Sequence, residues 1–226
     1  MFDENIKIVE NKNYITKLKK HNEIIKVGYG KNTLVNCLIG LNNLSDYKYE
    51  IKKIDKIMQM KEGPDIISDL STKRIKRDDS FWYKVVNETP FISSTLPIYL
   101  TKSKNDLIDS DELLDIIIEQ MEHGVGLITI HPTVNEEIFK ASRKRMVPIT
   151  SRGGGMVLKD LIIREFIGEN IYLKILPQII SYAKKYQVAL SLGATFRSAN
   201  IFDCNDEAQK MEIEAQIKLA KIISQQ

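Results

Sequence analysis

The sequence predicts an α/β fold, an incomplete (β/α)8 barrel with about six parallel strands, and two observations lead to it. Short apolar runs alternate with longer segments whose apolar residues recur at helical spacing, which is typical of parallel strands joined by helices. Polar residues follow almost every apolar run. This distribution fits the carboxyl-end rim of a barrel better than the single switch point of a doubly wound sheet.

The 226 residues contain 43% apolar side chains, which is enough for a sizeable core in one domain. We therefore expect a single partial barrel over residues 23–226. It follows a weakly patterned N-terminal lead-in at 1–22.

The first half of the chain supplies three predicted strands. Two apolar runs around Gly-Lys-Asn predict a hairpin at 23–35, and its second run continues into a strand at 33–39. Further strands are predicted at 65–70 and at 91–99. Helical spacing predicts helices at 44–63, with Ser45 as N-cap, at 78–88 and at 111–124.

The second half supplies the other three strands, at 126–130, 147–150 and 188–193. Pro177 lies within a helical segment, so it must either open that helix or kink it. The predicted helices are 135–145, 156–166, 170–187 and 205–226.

Charge and composition exclude several classes of protein. The 33 basic and 30 acidic residues leave a net charge of +3, which by itself argues neither for nor against nucleic acid. The basic stretch KRIKR (73–77) has no interleaved aromatic residues, so we expect no nucleic-acid partner. Apolar runs are too short to span a membrane and the first residues lack a signal-peptide core, which predicts a cytoplasmic location. Cys37 and Cys204 form no CxxC motif, so we expect neither a disulfide scaffold nor a zinc ribbon or cysteine-ligated cluster.

Ser151 and Arg152 precede three glycines directly after the predicted strand 147–150. Glycines at such a place let backbone N–H groups approach an anion, and an arginine offers a planar fork for phosphate or carboxylate. This pattern favours a phosphate or carboxylate clamp on a small molecule. The alternative is a flexible turn that carries a surface arginine.

Three more residues are candidates because they follow predicted strands. His131 could act as a base, a donor or a metal ligand, or it could be a structural histidine. Tyr99 could present its hydroxyl at the rim, or it could belong to the core. Arg197 would be a second guanidinium, and both arginines could point at one pocket.

Seven short motifs in this order resemble the phosphomethylpyrimidine synthase family, which rearranges aminoimidazole ribonucleotide into hydroxymethylpyrimidine phosphate for thiamine biosynthesis. The motifs are NCLIG (36–40), DLST (69–72), LPIY (96–99), TIH (129–131), SRGG (151–154), LSLG…R (190–197) and DCNDEAQ (203–209).

The resemblance implies a (β/α)8 barrel and radical chemistry, in which S-adenosylmethionine is cleaved at a [4Fe–4S] cluster. The family also uses a second metal such as zinc. It further implies that the ribonucleotide site is lined by Tyr99, His131, Ser151, Arg152, Gly153 and Arg197. No residue is assigned a catalytic role.

The sequence departs from the family pattern at Leu38, Ser68 and Ala194, where the family has asparagine, methionine and aspartate. The family's last two strands and its cluster cysteines also have no counterpart here. We therefore expect no cofactor to be held by this chain alone, and we expect lyase activity to require a complementary chain. The alternative is a degenerate, non-catalytic paralogue that binds a phosphorylated small molecule or a full-length relative. Unpaired strand edges also suggest a homodimer.

Overall fold

The structure, a computed structural model, describes residues 15–20, 23–104 and 107–225. Its strands are β1 (Thr16–Lys20), β2 (Glu23–Val27), β3 (Asn36–Ile39), β4 (Ile66–Asp69), β5 (Ile92–Thr95), β6 (Ser103–Lys104), β7 (Leu107–Ile108), β8 (Leu127–Ile130) and β9 (Ala189–Leu192). Its α-helices are α1 (Tyr47–Met58), α2 (Phe81–Glu88), α3 (Ser110–Glu122), α4 (Glu136–Ser142), α5 (Arg152–Ile163), α6 (Ile171–Tyr186) and α7 (Glu207–Gln225). Short 3-10 helices cover Leu44–Asp46, Arg77–Asp79, Pro97–Leu100 and Ile201–Asp203.

Five strands form the central sheet in the order β3-β4-β5-β8-β9. The pairs from β3 to β8 are parallel. Hydrogen bonds from Ala189 N to Gly126 O (3.1 Å) and from Gly193 N to Ile130 O (2.8 Å) advance in the same direction along β8 and β9. Within this sheet each strand lies beside the one that precedes it in the chain. The predicted α/β fold with a parallel sheet is confirmed.

The strand predicted at 147–150 is not formed, so this sheet has five strands rather than six among the described residues. Pro148 has no N–H to donate to a neighbouring strand. Met146 and Val147 remain 88% and 42% exposed, so little apolar burial would favour a strand there. The segment is irregular, and Thr150 contacts the loop after β9 through bonds from its N to Thr195 O (3.4 Å) and from its Oγ1 to Arg197 O (3.1 Å).

The hairpin predicted at 23–35 is also wrong in its pairing. β2 pairs with the preceding β1 instead, which lies within the predicted lead-in 1–22. The segment after β2 turns away and joins the central sheet, where Val35 O accepts from Asp65 N (2.9 Å). Residues 1–14, 21 and 22 of the lead-in lie outside the described residues.

Several boundaries differ from the prediction for local reasons. The strand predicted at 91–99 ends at Thr95, because Pro97 opens the 3-10 helix Pro97–Leu100. Ser45 does not cap α1, whose N-cap is Asp46. Pro177 lies inside α6 and does not open it.

The chain divides into two compact units. Unit 1 contains the described residues up to Thr95 together with Glu119–Ile128 and Ala183–Ala189. Unit 2 contains the described residues of Leu96–Ile118, Thr129–Tyr182 and Leu190–Gln226. The core of unit 1 includes a cluster in which Ile39, Ile67 and Phe81 are buried together. Unit 2 buries Val157, Leu158 and Leu161 on one face of α5.

No helix in the described part of the chain combines the length and the apolar character that a membrane crossing requires.

Candidate functional site

The six residues that the sequence singled out all lie in unit 2, and we call them the rim cluster: Tyr99, His131, Ser151, Arg152, Gly153 and Arg197. Four segments carry them. These segments are the 3-10 helix Pro97–Leu100, the residue after β8, the start of α5 and the loop after β9.

Ser151 begins α5 as its N-cap, and its Oγ accepts a hydrogen bond from Gly154 N at 3.2 Å. The three glycines therefore lie in the first turn of a helix rather than in a flexible turn, while Arg152 is exposed, as the surface-arginine alternative has it. The first N–H groups of a helix have no partner within it, and they carry the positive end of the helix dipole. Arg152 and Gly153 thus add backbone donors to the rim cluster.

Close packing explains two of the three glycines. A β-carbon on Gly153 would lie 2.6 Å from His131 Cε1, and one on Gly154 would lie 2.0 Å from Thr195 Oγ1. Gly155 faces open space, since its β-carbon would meet only Ile149 Cγ2 at 3.9 Å. The motif thus packs the helix start directly against the histidine and against the loop after β9.

His131 follows β8 and is only 3% exposed. Two glycines pack against its ring, because a β-carbon on Gly193 would come within 2.7 Å of Nε2 and one on Gly153 within 2.6 Å of Cε1. Burial, with a smaller contribution from the charge of Arg197, lowers the pKa of His131 to about 4. The imidazole is therefore neutral at pH 7.

The hydrogen bonds indicate which ring nitrogen carries the proton. Ser151 Oγ already accepts from Gly154 N, and it lies 3.0 Å from His131 Nε2. When the Ser151 hydroxyl donates to Nε2, the imidazole proton is on Nδ1 and only Nδ1–H lacks a partner among the described residues. The other tautomer would leave both the Ser151 hydroxyl proton and the Nδ1 lone pair unpaired there. His131 Nδ1 is buried and has no hydrogen-bond partner among the described residues. His131 therefore offers a free neutral donor.

Tyr99 and Arg152 form a cation–π pair, with the guanidinium carbon 5.3 Å from the centre of the ring. Tyr99 is half-buried, and this burial raises the pKa of its hydroxyl. The charges of Arg152 and Arg197 and the N–H of Gly153 act in the opposite direction. The phenol is therefore a neutral donor that lies among cations.

Arg197 is exposed, and its Nη1 donates to the carbonyl of Ala194 at 2.7 Å. Its charge is near enough to shift the pKa values of both His131 and Tyr99. The structure thus brings both predicted arginines to the same cluster as the imidazole and the phenol.

The sequence analysis missed a buried carboxylate that holds the loop after β9. Glu212, on α7, is 2% exposed and accepts from Thr195 N at 2.6 Å and from Phe196 N at 2.7 Å. Thr133 Oγ1 donates to the same carboxylate at 3.2 Å. Burial raises the pKa of Glu212 despite these donors. In the sequence, Glu212 lies between Met211 and Ile213 in the predicted helix 205–226, and this apolar context is a weak indication of burial.

Arg145 and Asp206 form a second support that the sequence did not reveal. Arg145 is 6% exposed and binds Asp206 with two nitrogens, Nε at 2.6 Å and Nη2, while its Nη1 donates to Phe196 O at 2.6 Å. The Arg145 hydrogen bond and charge lower the pKa of Asp206. Asp206 also caps α7 by accepting from Gln209 N at 2.9 Å. The DCNDEAQ motif therefore fixes the loop that carries Arg197.

Asn170 links the start of α6 to the residue that follows β8. Its Nδ2 donates to His131 O at 3.0 Å and to Val134 O at 3.1 Å, while its Oδ1 accepts from Tyr172 N at 2.9 Å. Tyr172 is fully buried, and its hydroxyl has no partner among the described residues. An asparagine directly before a helical segment is an N-cap pattern.

Two polar residues of unit 1, an aspartate at the end of β4 and a histidine near the end of α3, have structural roles. Asp69 accepts hydrogen bonds from Trp82 N at 2.9 Å and from the backbone N and the hydroxyl of Ser71. Both carboxylate oxygens are therefore engaged in local structure. His123 Nδ1 lies 2.8 Å from Glu119 O near the end of α3, as expected for a capping histidine.

The rim cluster therefore combines two guanidinium groups, the positive end of a helix dipole and neutral donors, while the N–H groups of Gly153 and Gly154 already donate to Tyr99 and Ser151. The acceptors beside them are already engaged within the protein. Such an arrangement can bind an anion with several oxygen atoms. No group of three or more histidine, cysteine or acidic residues that could hold a metal ion occurs within the described ranges.

Comparison with known proteins agrees with the motif pattern. A family model described as the Radical SAM ThiC family matches residues 5–226. Phosphomethylpyrimidine synthase of Campylobacter jejuni subsp. jejuni serotype O:23/36 (strain 81-176) is 31% identical over 195 residues, which cover 83% of this chain and 44% of that protein. The protein of the same name from serotype O:2 (strain ATCC 700819 / NCTC 11168) matches equally. The chain thus spans less than half the length of these relatives.

Proposed function

Since this chain belongs to the Radical SAM ThiC family, we propose that it acts in the biosynthesis of the thiamine pyrimidine and that unit 2 binds aminoimidazole ribonucleotide. One observation carries the proposal. Arg152 lies over Tyr99 in the same unit in which the start of α5 meets the neutral imidazole of His131. A cation, a helix start and neutral donors suit a ligand that joins a phosphate to a polar ring system.

Each residue of the rim cluster has a distinct part in this proposal. Arg152, Arg197 and the positive end of the α5 dipole hold the phosphate. Nδ1–H of His131 and the hydroxyl of Tyr99 donate to acceptor atoms of the ribose or base. Ser151 keeps the imidazole in the tautomer that makes Nδ1 the donor.

The cofactors of the family do not fit the described residues. A [4Fe–4S] cluster needs three thiolates in one place, and the chain contains only two cysteines. Neither the cluster nor the second metal has a complete set of ligands among the described residues. We propose that residues outside the described part of this chain, such as those of a complementary chain, hold these groups. Unit 2 supplies the binding site for the substrate.

The strand order supports a barrel-type architecture. Strands of the central sheet follow one another in chain order from β3 to β9, as in a singly wound (β/α)8 barrel, and the order never reverses. β3 and β9 are the edges of this sheet, and edges of parallel strands favour further pairing. We propose that a second copy or a complementary chain covers an edge. Light scattering that shows a monomer at micromolar concentration would contradict this proposal.

A second candidate function, a non-catalytic binding protein, is supported at Ala194. The family carries an aspartate there, so the carboxylate that it would bring to the substrate site is lost in this chain. Phosphate binding could persist in such a protein without turnover.

Calorimetric titration with aminoimidazole ribonucleotide tests both candidates, with ribose 5-phosphate and inorganic phosphate as simpler probes. We expect the ribonucleotide to bind the wild-type protein and Arg152→Ala to weaken this binding at least tenfold. Arg143→Ala removes another exposed arginine of unit 2 and should leave binding unchanged. Binding of phosphates without turnover in the presence of a full-length relative would favour the second candidate. No heat with any of the three probes would contradict both.

A further inference from the structure

A cavity of about 210 Å³ lies within unit 1, at the amino ends of β5 and β8. Its lining comes from the end of β1, the start of β5, the turn before β8 and the ends of α2, α3 and α6. The apolar part of this lining consists of Val86, Phe91, Ile92, Met121 and Val125. Pockets for drug-sized ligands measure roughly 300–1,000 Å³, so this cavity suits a smaller molecule with an apolar body.

The charged part of the lining is strongly biased towards lysine. Lys19, Lys20 and Lys185 line the cavity together with a single carboxylate, Glu122. Glu122 already accepts a hydrogen bond from the Tyr186 hydroxyl at 2.6 Å, and Lys185 Nζ lies 4.6 Å from the centre of the Tyr186 ring. Neither Lys19 nor Lys20 forms an ion pair with another described residue. The cavity therefore carries positive charge that the described protein does not neutralise.

The backbone that carries Lys19 and Lys20 is fixed against the sheet. Leu18, directly before them, is 3% exposed and belongs to the same core cluster as Ile92. Lys19 O lies so close to Gly126 that a β-carbon on this glycine would come within 2.7 Å of it. Gly126 N in turn donates to Ser93 O at 3.0 Å. The two lysines at the end of β1 therefore extend from a well-held backbone beside the cavity.

We propose that this cavity is a binding site for a small organic anion. The apolar body of the ligand packs against Val86, Phe91 and Met121, and its carboxylate or phosphate is held by the ammonium groups of the three lysines. All residues of this site belong to unit 1, whereas all residues of the rim cluster belong to unit 2. The inference therefore goes beyond the proposed function and does not rest on it.

Phenyl phosphate and benzoate are suitable probes, because each joins an apolar ring to an anionic head. Benzyl alcohol is the uncharged counterpart. Saturation-transfer NMR titrations use the Arg152→Ala variant, so that phosphate binding at the rim cluster contributes little. We expect the anions to bind about tenfold more tightly than benzyl alcohol, and added salt to weaken only the anions. Binding of phenyl phosphate without benzoate would assign the site to phosphate esters, and binding of both would extend it to carboxylates.

Lys20→Ala, in the same background, should weaken binding of the anions about fivefold and leave benzyl alcohol unchanged. Lys17→Ala is the matched control, because Lys17 lies on the same strand and is exposed, but it does not line the cavity. It should leave all three affinities unchanged. The site is wrong if neither anion binds at millimolar concentrations or if benzyl alcohol binds as tightly as the anions. Equal losses for Lys17→Ala and Lys20→Ala would also overturn it, because they would show attraction by the overall charge of the strand.

Discussion

Gly154 lies so close to Thr195 that a β-carbon on the glycine would come within 2.0 Å of the threonine Oγ1. This contact joins the first turn of α5 to the loop that carries Arg197. The placement of Arg152 relative to Arg197 therefore depends on the absence of a side chain at Gly154.

Gly154→Ala should destabilise the protein by more than about 2 kcal/mol, because the methyl group has no space unless Thr195 moves. Gly155→Ala is the control one residue further on. Its β-carbon meets nothing nearer than 3.9 Å, so alanine should stabilise the helix by about 0.5–1 kcal/mol. Urea unfolding measures both values. Equal effects of the two substitutions would contradict the packing described.

Arg145→Ala should cost about 3 kcal/mol, because it leaves Asp206 and the Phe196 carbonyl without their buried partner. The adjacent Lys144 provides the control. Lys144 pairs with Glu207 at 3.8 Å, and both side chains are largely exposed, so Lys144→Ala should cost less than about 1 kcal/mol. The difference should appear in urea midpoints. A cost for Lys144→Ala as large as that for Arg145→Ala would be inconsistent with the structure.

His131 should make the protein less stable in mild acid. Its pKa is lowered from 6.5 to about 4 in the folded state, so the unfolded chain takes up a proton first as the pH falls. The contribution of neutral His131 to the free energy of unfolding is therefore fully present above pH 6.5. It falls between pH 6.5 and about 4, and below that pH it no longer changes. The loss should be about 3 kcal/mol, since lowering the pKa from 6.5 to about 4 contributes ~1.4 kcal/mol for each pH unit. Denaturant titrations of wild type and His131→Gln across this range should differ by that amount, and parallel curves would refute the assignment.

The apolar pattern of the sequence predicts strands and helices correctly where the pattern and the burial in the fold agree. β4 is buried at every position and appears as predicted, within a residue at each end. The segment 147–150 shows the opposite case. Its apolar letters suggest a strand, but Pro148 and the exposure of Met146 and Val147 prevent one. A strand depends on neighbours that offer both hydrogen bonds and cover, and a single sequence does not reveal them.

The rim cluster could be predicted because its residues follow strands or form a glycine-rich motif. The supports behind it could not. Glu212 is one acidic letter in a charged helix, yet it is 2% exposed and holds the loop after β9. Arg145 sits in a run of basic residues that suggests a solvated surface, and only the fold shows that it is buried against Asp206. Burial of a charge depends on a partner 61 residues away in the chain.

The two glycines that flank His131 have an evolutionary consequence. Any descendant that keeps this imidazole must also keep Gly153 and Gly193, because even a methyl group at either position would strike the ring. Selection for folding alone is then sufficient to preserve those parts of the SRGG and LSLG motifs. These motif residues can therefore persist after catalytic activity is lost, so their presence in a sequence does not by itself indicate an active enzyme.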